Sequence, residues 1–351
     1  MIPTYSTTIR RREMDAVLTC MVDEKLGPGA INARFIQLIK ETCTCDGAAA
    51  VRSPGIALSY ALKALAVAPG TPVMISALAP LWQYTTLESL GYVPLVLDVD
   101  EATGVVNADI VSLGMVAGGK VLVLHETNGI LPDMDALCAL NVPIVEDISQ
   151  SVGASLMSHD ENGTPHREKR TGTFGQYAIL GLEEHDVITA GGGAVVMAAH
   201  RRDWQLLKQY TDAAPLIDLL PDLNSALGWV QLKEYGRNEA VRKELFQLYH
   251  RACAQGRHML FLRDMEGGAT MANFPVVLSS AYGDVQRYAA KKNIEVRRAF
   301  EYSVVAGGPE ERCVRCIHAK SLYLRTALFP LYPRLSPAQA AQIVKVLSSL
   351  P

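Results

Sequence analysis

Seven apolar runs of strand length alternate with stretches of helical spacing, and this alternation constrains the fold more than any other feature of the chain. The runs lie near residues 48–51, 72–78, 94–100, 120–126, 142–147, 177–182 and 193–198. Helical spacing fills the gaps between them, and one such stretch ends in Pro69-Gly70, a typical helix stop. The pattern predicts an α/β fold with a mainly parallel seven-stranded sheet that helices cover on both faces.

After about residue 200 the pattern changes to long helical stretches, the longest at residues 224–256. The segment from Phe274 to Pro351 then holds two short strand patterns, a helix between them and a terminal helix that Ser336-Pro337 begins. We therefore predict two domains. Residues 1–235 form a large α/β domain with an N-terminal segment, and residues 236–351 form a long connecting helix and a small α+β C-terminal domain.

The composition is that of an ordinary globular protein and excludes several classes of partner. The chain has 351 residues, of which 49% are hydrophobic, and its formal net charge is -3. That balance gives no field that would attract nucleic acid or an anionic membrane surface. No apolar run approaches the ~20 residues of a membrane span, and no secretory pattern follows the basic residues near the N-terminus. We expect a cytoplasmic protein.

Seven cysteines are scattered through the chain, an odd number that indicates reduced thiols more than a disulfide framework. Two pairs, Cys43 with Cys45 and Cys313 with Cys316, have spacings that could supply thiolates to zinc or to an iron-sulfur cluster. A second C-x-x-C pair is lacking, so the sequence predicts no metal site. The polar stretch at 159–172 predicts a mobile loop.

Polar side chains follow the apolar run at 142–147, which ends in Glu146-Asp147, with Gln150 three residues later. A carboxylate at the carboxyl end of a parallel strand faces the crevice where α/β sheets bind ligands. Acidic residues at strand ends also cap helices or face water, and both interpretations stay open at this point.

Several segments together, in their order and spacing, resemble the DegT/DnrJ/StrS family of sugar aminotransferases and related enzymes. They are residues 52–65, 124–137, 142–154, 171–180, 190–197, 224–232 and 329–347. The resemblance implies the fold type I architecture of enzymes that use pyridoxal phosphate (PLP) or its amine form, pyridoxamine phosphate (PMP). It also implies a homodimer and a sugar-nucleotide ligand. Fold alone does not establish an activity.

By position within this resemblance, Asp147 corresponds to the partner of the cofactor's pyridine nitrogen and Gln150 to the residue beside the ring hydroxyl. His185 occupies the place of the lysine that forms the Schiff base. No lysine lies between Lys169 and Lys208 to replace it. An imidazole can move protons but cannot form an imine with an aldehyde cofactor. The sequence therefore predicts that the chain is not a conventional transaminase and makes His185 the candidate catalytic residue.

The segment that would bind the cofactor phosphate departs from the family pattern. Where the family has Ser-Gly-Thr, this chain has Ser53-Pro54-Gly55, and proline has no N–H to donate. Ser53 and Gly55 remain candidate phosphate contacts. Arg52 would compensate for lost donors if its guanidinium turned inward, and a solvent-facing Arg52 is the alternative.

Other cofactor positions are also altered. Leu180 replaces the serine five residues before the lysine position, and Ile217 and Leu219 stand where the family has asparagine and arginine. The aromatic residue that stacks on the cofactor ring falls near Trp82, for which a packing role is the alternative. His125 lies where the family often has histidine, and a structural role is favoured for it.

Two functional hypotheses follow from these departures. A small branch of the family also has histidine at the lysine position and consists of PMP-dependent sugar dehydratases, in which that histidine removes a proton. His185 suits such a role because an imidazole can exchange protons near neutral pH. Glu183 and Glu184 would add negative charge near the phosphate if they faced inward. The alternative is a catalytically inactive homologue that binds a sugar nucleotide or acts as a regulatory protein.

Overall fold

The computed structural model describes residues 1–159, 165–254, 256–263 and 268–351. Nine strands lie in the first 200 residues: β1 (Gly47–Val51), β2 (Pro72–Ser76), β3 (Val93–Leu97), β4 (Val121–His125), β5 (Ile144–Asp147), β6 (Ser155–His159), β7 (Pro165–Arg170), β8 (Tyr177–Gly181) and β9 (Ala194–Ala198). Seven of them form one sheet in the order β1-β9-β8-β5-β4-β2-β3. Each predicted apolar run supplies one of these strands.

The large sheet is parallel except at β9, which pairs antiparallel with both β8 and β1. Every residue of β4, β5, β8 and β9 is buried. Strands buried on both faces read as continuous apolar runs, which is why the sequence pattern locates them. The prediction of a mainly parallel seven-stranded sheet is confirmed.

Helices cover this sheet on both faces. They are α1 (Arg11–Val22), α2 (Ala30–Cys43), α3 (Pro54–Ala64), α4 (Leu81–Ser89), α5 (Ala108–Val116), α6 (Met134–Ala139), α7 (Arg201–Asp212) and α8 (Asp222–Lys233). The carboxylate of Asp222 accepts hydrogen bonds from the backbone N–H groups of Gly29, Ile31 and Asn32. It thereby caps the N-terminus of α2 from a neighbouring helix.

The remainder of the chain begins with the long helix α9 (Tyr235–Cys253) and continues into a second, smaller sheet. Its elements are β10 (Phe274–Val277), α10 (Tyr282–Lys291), β11 (Arg297–Arg298), α11 (Val304–Gly307), α12 (Ile317–Arg325), β12 (Thr326–Phe329) and α13 (Pro337–Leu347). The three strands pair antiparallel in the order β10-β12-β11. This is the small α+β domain that the sequence predicts, although its second predicted strand, 294–300, is reduced to two residues.

Part of the C-terminal half packs onto the large domain. The N–H groups of Val304 and Val305 donate to the carbonyls of Ala79 and Ala77, at 2.9 Å in each case. Buried side chains from 304–322 join the same apolar cluster as the large sheet. The domain boundary at residue 235 therefore stays a prediction, since residues beyond it contribute to both cores.

The N-terminal segment joins the small domain. Ile2 forms a parallel bridge with Ile294, and its N–H donates to the carbonyl of Asn293 at 2.8 Å. Thr4 donates its N–H to the Glu295 carboxylate at 2.8 Å and its hydroxyl to the Glu295 carbonyl at 3.1 Å. These bonds fix the path of the chain up to Thr4.

The prediction of a mobile loop at 159–172 is wrong for residues 165–170, which form strand β7, and residues 160–164 lie outside the described residues. The flanking residues form strands β6 and β7, which pair antiparallel as a hairpin. In the part of the chain that the structure describes, no helix combines the length and the apolar character needed to cross a bilayer.

Candidate functional site

A cleft of about 140 Å³ lies between the carboxyl ends of the parallel strands and the small domain. His125 and Gln150 contribute to it from the large domain, next to the ends of β4 and β5. Residues 298–303 close it from the small domain, and Tyr5 lines it from the N-terminal segment. This is the crevice in which open α/β sheets bind ligands.

Asp147 ends β5 and is fully buried. Its Oδ2 atom accepts a hydrogen bond from Gln83 Nε2 at 2.8 Å and lies 2.9 Å from His125 Nδ1. Its Oδ1 atom accepts from the hydroxyl of Ser149 at 2.5 Å and from the Ser149 N–H at 3.2 Å. A carboxylate offers about four acceptor positions, and these four contacts occupy them.

The same contacts set the pKa of Asp147. Burial raises the pKa, but the opposing effects of His125 and of the hydrogen bonds from Ser149 are larger together, and they hold the pKa below its ordinary value. The carboxylate is therefore ionised, buried and bound on both oxygens. His125, which lines the cleft, belongs to the same hydrogen-bonded cluster.

Two further buried acidic residues, Glu146 and Glu126, lie near Asp147. Glu146 accepts hydrogen bonds from the backbone N–H groups of Gly172, Phe174 and Gly175, at 2.6–2.8 Å, and so holds the turn before β8. Glu126 accepts from the hydroxyl of Ser151. Burial, followed by the charge of Glu146, raises the pKa of Glu126 well above its ordinary value, which favours the neutral acid.

His185 follows β8 and is exposed in the cleft. Its imidazole stacks on the ring of Tyr5, with ring centroids 4.1 Å apart and planes only 9° from parallel. A small cavity of about 30 Å³ adjoins this pair, and Arg242 lines it. Arg242 donates from Nη2 to the carbonyl of Val187 at 3.4 Å, which ties the loop after His185 to α9.

Asp186, the next residue, also lines the cleft. Its Oδ2 atom accepts a hydrogen bond from the N–H of Glu183 at 2.8 Å. Burial raises the pKa of Asp186 to about 7; the N–H of Glu183 opposes this shift, and the charges of Asp147 and Glu183 add to it. The carboxylate of Glu183 accepts from the N–H of Gly193 at 3.4 Å, so it lies over the glycine run.

Gln150 lies in the same cleft as His185. Its Oε1 atom accepts a short hydrogen bond of 2.6 Å from the N–H of Asn128, a residue in the left-handed backbone region with φ of 57°. Asn273, which directly precedes β10 of the small domain, donates a hydrogen bond of 3.3 Å to the side chain of Asn128. These amides form a polar wall on one side of the cleft.

The candidate phosphate residues lie apart from this cleft. The hydroxyl of Ser53 accepts from the N–H of Ile56 at 3.2 Å and caps α3. At Gly55, a Cβ atom would lie 2.8 Å from Thr86 Oγ1, which shows close packing of α3 against α4. Arg52 is exposed. None of these residues lines the cleft that holds His185.

The remaining altered positions also lie outside the lining of this cleft. Trp82 is partly buried against the main apolar cluster, and Pro80, two residues earlier, lines the cleft instead. Leu180 is fully buried in β8. Ile217 is 72% exposed, and Leu219 forms an antiparallel bridge with β1 of its own chain.

These observations test whether the residues fit a pyridoxal cofactor. Asp147 is saturated by neighbouring side chains and does not line the cleft. The helix that would bind the phosphate begins with Pro54, and the side chain of Ser53 is used as its cap. The residue at the lysine position has no primary amine. The set of donors therefore fits the cofactor poorly. The cofactor roles assigned to Asp147, Gln150, Ser53, Gly55, Arg52 and Trp82 remain predictions.

Sequence reasoning missed four residues that shape the site: Tyr5, Gln83, Ser149 and Asp186. Ser149 left a signal, because a serine two residues after an aspartate often bonds its side chain. Gln83 was detectable only as a polar residue among the buried positions of α4. Tyr5 left no local signal, since its contact with His185 depends on the tertiary fold.

The cysteine pairs belong to apolar surroundings. Cys313 and Cys316 lie in the main apolar cluster, and Cys43 and Cys45 lie in a cluster beneath α2. Within the described ranges, no group of three or more metal-ligating side chains has a geometry that would bind a metal ion.

Comparison with known proteins identifies a family that matches most of the chain and relatives that match parts of it. The model of the DegT/DnrJ/EryC1/StrS aminotransferase family matches residues 7–212 and 218–348. Three characterised relatives are an L-glutamine:2-deoxy-scyllo-inosose aminotransferase of Micromonospora echinospora, a 3-amino-5-hydroxybenzoate synthase of Amycolatopsis mediterranei and a GDP-perosamine synthase of Caulobacter vibrioides. Their identities are 27%, 30% and 23% over 48%, 42% and 69% of this chain. The matches cover 39%, 37% and 67% of the relatives themselves.

Solved structures agree on the fold. The aminotransferase TlmJ from Streptoalloteichus hindustanus has a TM-score of 0.85 at 21% identity, covering 99% of this chain and 98% of that one. The PMP form of the sugar aminotransferase Spr1654 from Streptococcus pneumoniae also gives 0.85, at 14% identity, covering 97% and 96%. These likenesses confirm the predicted aminotransferase fold.

Proposed function

The chain belongs to the DegT/DnrJ/EryC1/StrS aminotransferase family, and on this premise we propose that it is a non-transaminating member that binds a sugar nucleotide in its cleft without PLP. One observation carries the proposal. The carboxylate that would bind the pyridine nitrogen is already satisfied by Gln83, His125 and Ser149. A cofactor would have to break one of these buried hydrogen bonds to enter.

The free-energy balance favours the arrangement in which Asp147 keeps its hydrogen bonds to Gln83, His125 and Ser149. Each charge-assisted hydrogen bond contributes about 1.5–3 kcal/mol, and a buried donor left without its acceptor costs about 1–3 kcal/mol. A pyridinium that replaced Gln83 would recover the free energy of the charge-assisted hydrogen bond. It would also leave the amide of Gln83 unpaired, at the cost of a buried unsatisfied donor. With an imidazole in place of the lysine amine, no covalent bond would compensate.

The lining of the cleft supports a hydroxyl-rich ligand. Thr127, Asn128, Gln150 and Asn273 present hydroxyl and amide groups that both donate and accept hydrogen bonds. A sugar needs such mixed partners, because each of its hydroxyls does both. Arg298 lines the same cleft. Its Nη1 atom donates to the carbonyls of Tyr323 and Leu324, so a diphosphate would have to bind its remaining guanidinium N–H groups.

Binding without cofactor is the direct test. Calorimetry of the purified protein with UDP-glucose, GDP-mannose and dTDP-glucose is expected to detect binding of at least one compound in the absence of PLP. Addition of PLP or PMP in a parallel titration is expected to leave the absorption spectrum of the cofactor unchanged. Perturbed cofactor spectra at saturation, together with amino transfer to a keto sugar, would contradict the proposal.

A second candidate function is favoured by the position of His185, whose imidazole is exposed in the cleft where the family lysine would lie. In a PMP-dependent dehydratase this residue would remove a proton from the substrate. The two proposals differ in their need for PMP. Loss of a sugar hydroxyl that requires added PMP and disappears in His185→Gln would establish the dehydratase.

We also propose that the protein is a cytoplasmic homodimer. Support comes from an exposed apolar row on α1, formed by Met14, Leu18 and Met21, and from Leu216 and Ile217, which are 73% and 72% exposed. All seven cysteines are free thiols, which suits a reducing compartment. Light scattering at micromolar concentration that gave a monomer mass would contradict the dimer.

A further inference from the structure

We propose that Tyr5 is a positioning residue for His185: its ring fixes the plane of the imidazole, so that the opposite imidazole face and the ring edge are offered to a ligand in the cleft. This inference rests on the proposed ligand site. It adds to that proposal a role for the N-terminal segment in shaping the site.

The geometry of the pair is that of a parallel stack. The centroids of the Tyr5 and His185 rings are 4.1 Å apart and their planes differ by 9°. Near-parallel rings at this separation are in van der Waals contact through one face of each ring. A ligand therefore cannot approach that face of His185 while the stack persists.

His185 has few other constraints. Within the residues that the structure describes, neither nitrogen of its imidazole takes part in a hydrogen bond, and the side chain is exposed. An exposed side chain without a polar partner would otherwise populate several rotamers. The stack with Tyr5 is the contact that can select one of them.

Tyr5 itself is held firmly. The preceding residue, Thr4, donates two hydrogen bonds to Glu295, and the guanidinium of Arg297 lies 5.8 Å from the centroid of the Tyr5 ring. Burial raises the pKa of Tyr5, so the ring stays neutral at physiological pH. Because Glu295 and Arg297 belong to the small domain and His185 to the large one, the stack also spans the cleft.

Two substitutions distinguish the effect of the Tyr5 ring from the effect of its hydroxyl. Tyr5→Leu removes the aromatic face, whereas Tyr5→Phe retains it and serves as the matched control. The first measurement is the proton resonances of the His185 imidazole in the ligand-free protein, assigned by their loss in His185→Gln. Stacking shields these protons, so we expect a downfield shift in Tyr5→Leu and unchanged positions in Tyr5→Phe.

The second measurement is the affinity for whichever of UDP-glucose, GDP-mannose or dTDP-glucose the unmodified protein binds. An aromatic pair contributes about 0.5–1.5 kcal/mol, so Tyr5→Leu is expected to weaken binding about 2- to 13-fold, and Tyr5→Phe, which keeps the stack, to weaken it less. Circular dichroism checks that each variant is folded.

The outcomes distinguish this inference from the function on which it rests. Unchanged His185 resonances in Tyr5→Leu would overturn the positioning role, as would a Tyr5→Phe variant that behaves like Tyr5→Leu. If no sugar nucleotide binds the unmodified protein, the proposed function fails, while the resonance comparison still decides whether Tyr5 orients His185.

Discussion

His125 Nδ1 lies 2.9 Å from Asp147 Oδ2, and both side chains are buried at the ends of neighbouring parallel strands. Their positions are paired in the sheet register, so the backbone itself brings them together. With Gln83 on the same oxygen and Ser149 on the other, Asp147 becomes the centre of a closed hydrogen-bond cluster. The carboxylate connects α4, β4 and β5 beneath the cleft.

Removing one of these donors is expected to free an acceptor position on Asp147 for the pyridine nitrogen of PLP. His185→Lys alone supplies the amine, and we expect it to bind PLP weakly because Asp147 remains satisfied. Adding Gln83→Leu frees one acceptor position and also removes the buried, unpartnered Oε1 atom of Gln83. The double variant is expected to bind PLP about 10- to 100-fold more tightly than His185→Lys. Absorbance titration measures the PLP affinity, and borohydride trapping detects the imine. Equal affinities of the two variants would contradict the explanation that occupied acceptor positions on Asp147 exclude PLP.

Asp147→Asn is expected to lower the free energy of unfolding at pH 7 by about 2–4 kcal/mol, because an amide NH₂ would face a hydrogen-bond donor. The pKa of Asp147 is lowered in the folded state, so its contribution is present above the unfolded pKa of about 4 and is lost as pH falls through the folded pKa. The difference between the two proteins should therefore shrink on acidification. Urea titrations from pH 7 to pH 3 test this; a difference that grows would be inconsistent with it.

Asp186→Asn should show the opposite pH dependence. Burial raises the pKa of Asp186 from 3.8 to about 7, so its favourable neutral form is fully present below pH 3.8 and is lost as pH rises through about 7. Asparagine imitates the neutral acid and can still accept from the N–H of Glu183. We expect the variant to be more stable at pH 8 by on the order of 2 kcal/mol, after allowance for partial solvent screening, and equally stable near pH 4. Thermal unfolding at both pH values measures the difference.

The buried pair behind the cleft should respond unequally to the same substitution. Glu146→Gln replaces an acceptor of three backbone hydrogen bonds and is expected to cost about 2–4 kcal/mol. The raised pKa of Glu126 favours the neutral acid, which glutamine imitates, so Glu126→Gln is expected to cost less than about 1 kcal/mol. Denaturant unfolding of both variants makes the comparison. Equal losses would contradict the unequal roles of the two carboxyl groups.

Two glycines offer a matched test of packing. A Cβ at Gly47 would lie 1.9 Å from the Trp204 ring, so Gly47→Ala is expected to destabilise the large domain by about 3 kcal/mol. A Cβ at Gly236, exposed in α9, meets nothing within 4 Å, and Gly236→Ala is expected to stabilise by about 0.5–1 kcal/mol. Melting temperatures should move in opposite directions. A neutral Gly47→Ala would mean that Trp204 can move aside.

The sequence predicted the large sheet well because buried parallel strands are continuous apolar runs, and each run supplied one strand. It could not give the direction of β9, since a buried strand shows the same pattern whether it runs parallel or antiparallel. β7 was hidden for a different reason: its composition, PHREKR, is that of a loop, and its pairing with β6 becomes visible only in the fold.

For the site, positions aligned with a known family located Asp147, Gln150 and His185, and the structure places Gln150 and His185 in one cleft. The sequence did not predict the residues that contact Asp147 and His185 from distant parts of the chain. Gln83 lies 64 positions from Asp147 in sequence, and Tyr5 is farther still from His185. Local patterns carry no information about such distant contacts.

The bridge between Leu219 and Val51 has a consequence for the behaviour of the protein in solution. β1 ends the large sheet, and the N–H of Leu220 donates to the carbonyl of Ala50 on its outer side. An uncovered terminal strand can recruit strands of other molecules and start aggregation. Residues 218–220 shield this edge, so a deletion there should produce protein that folds but precipitates on concentration.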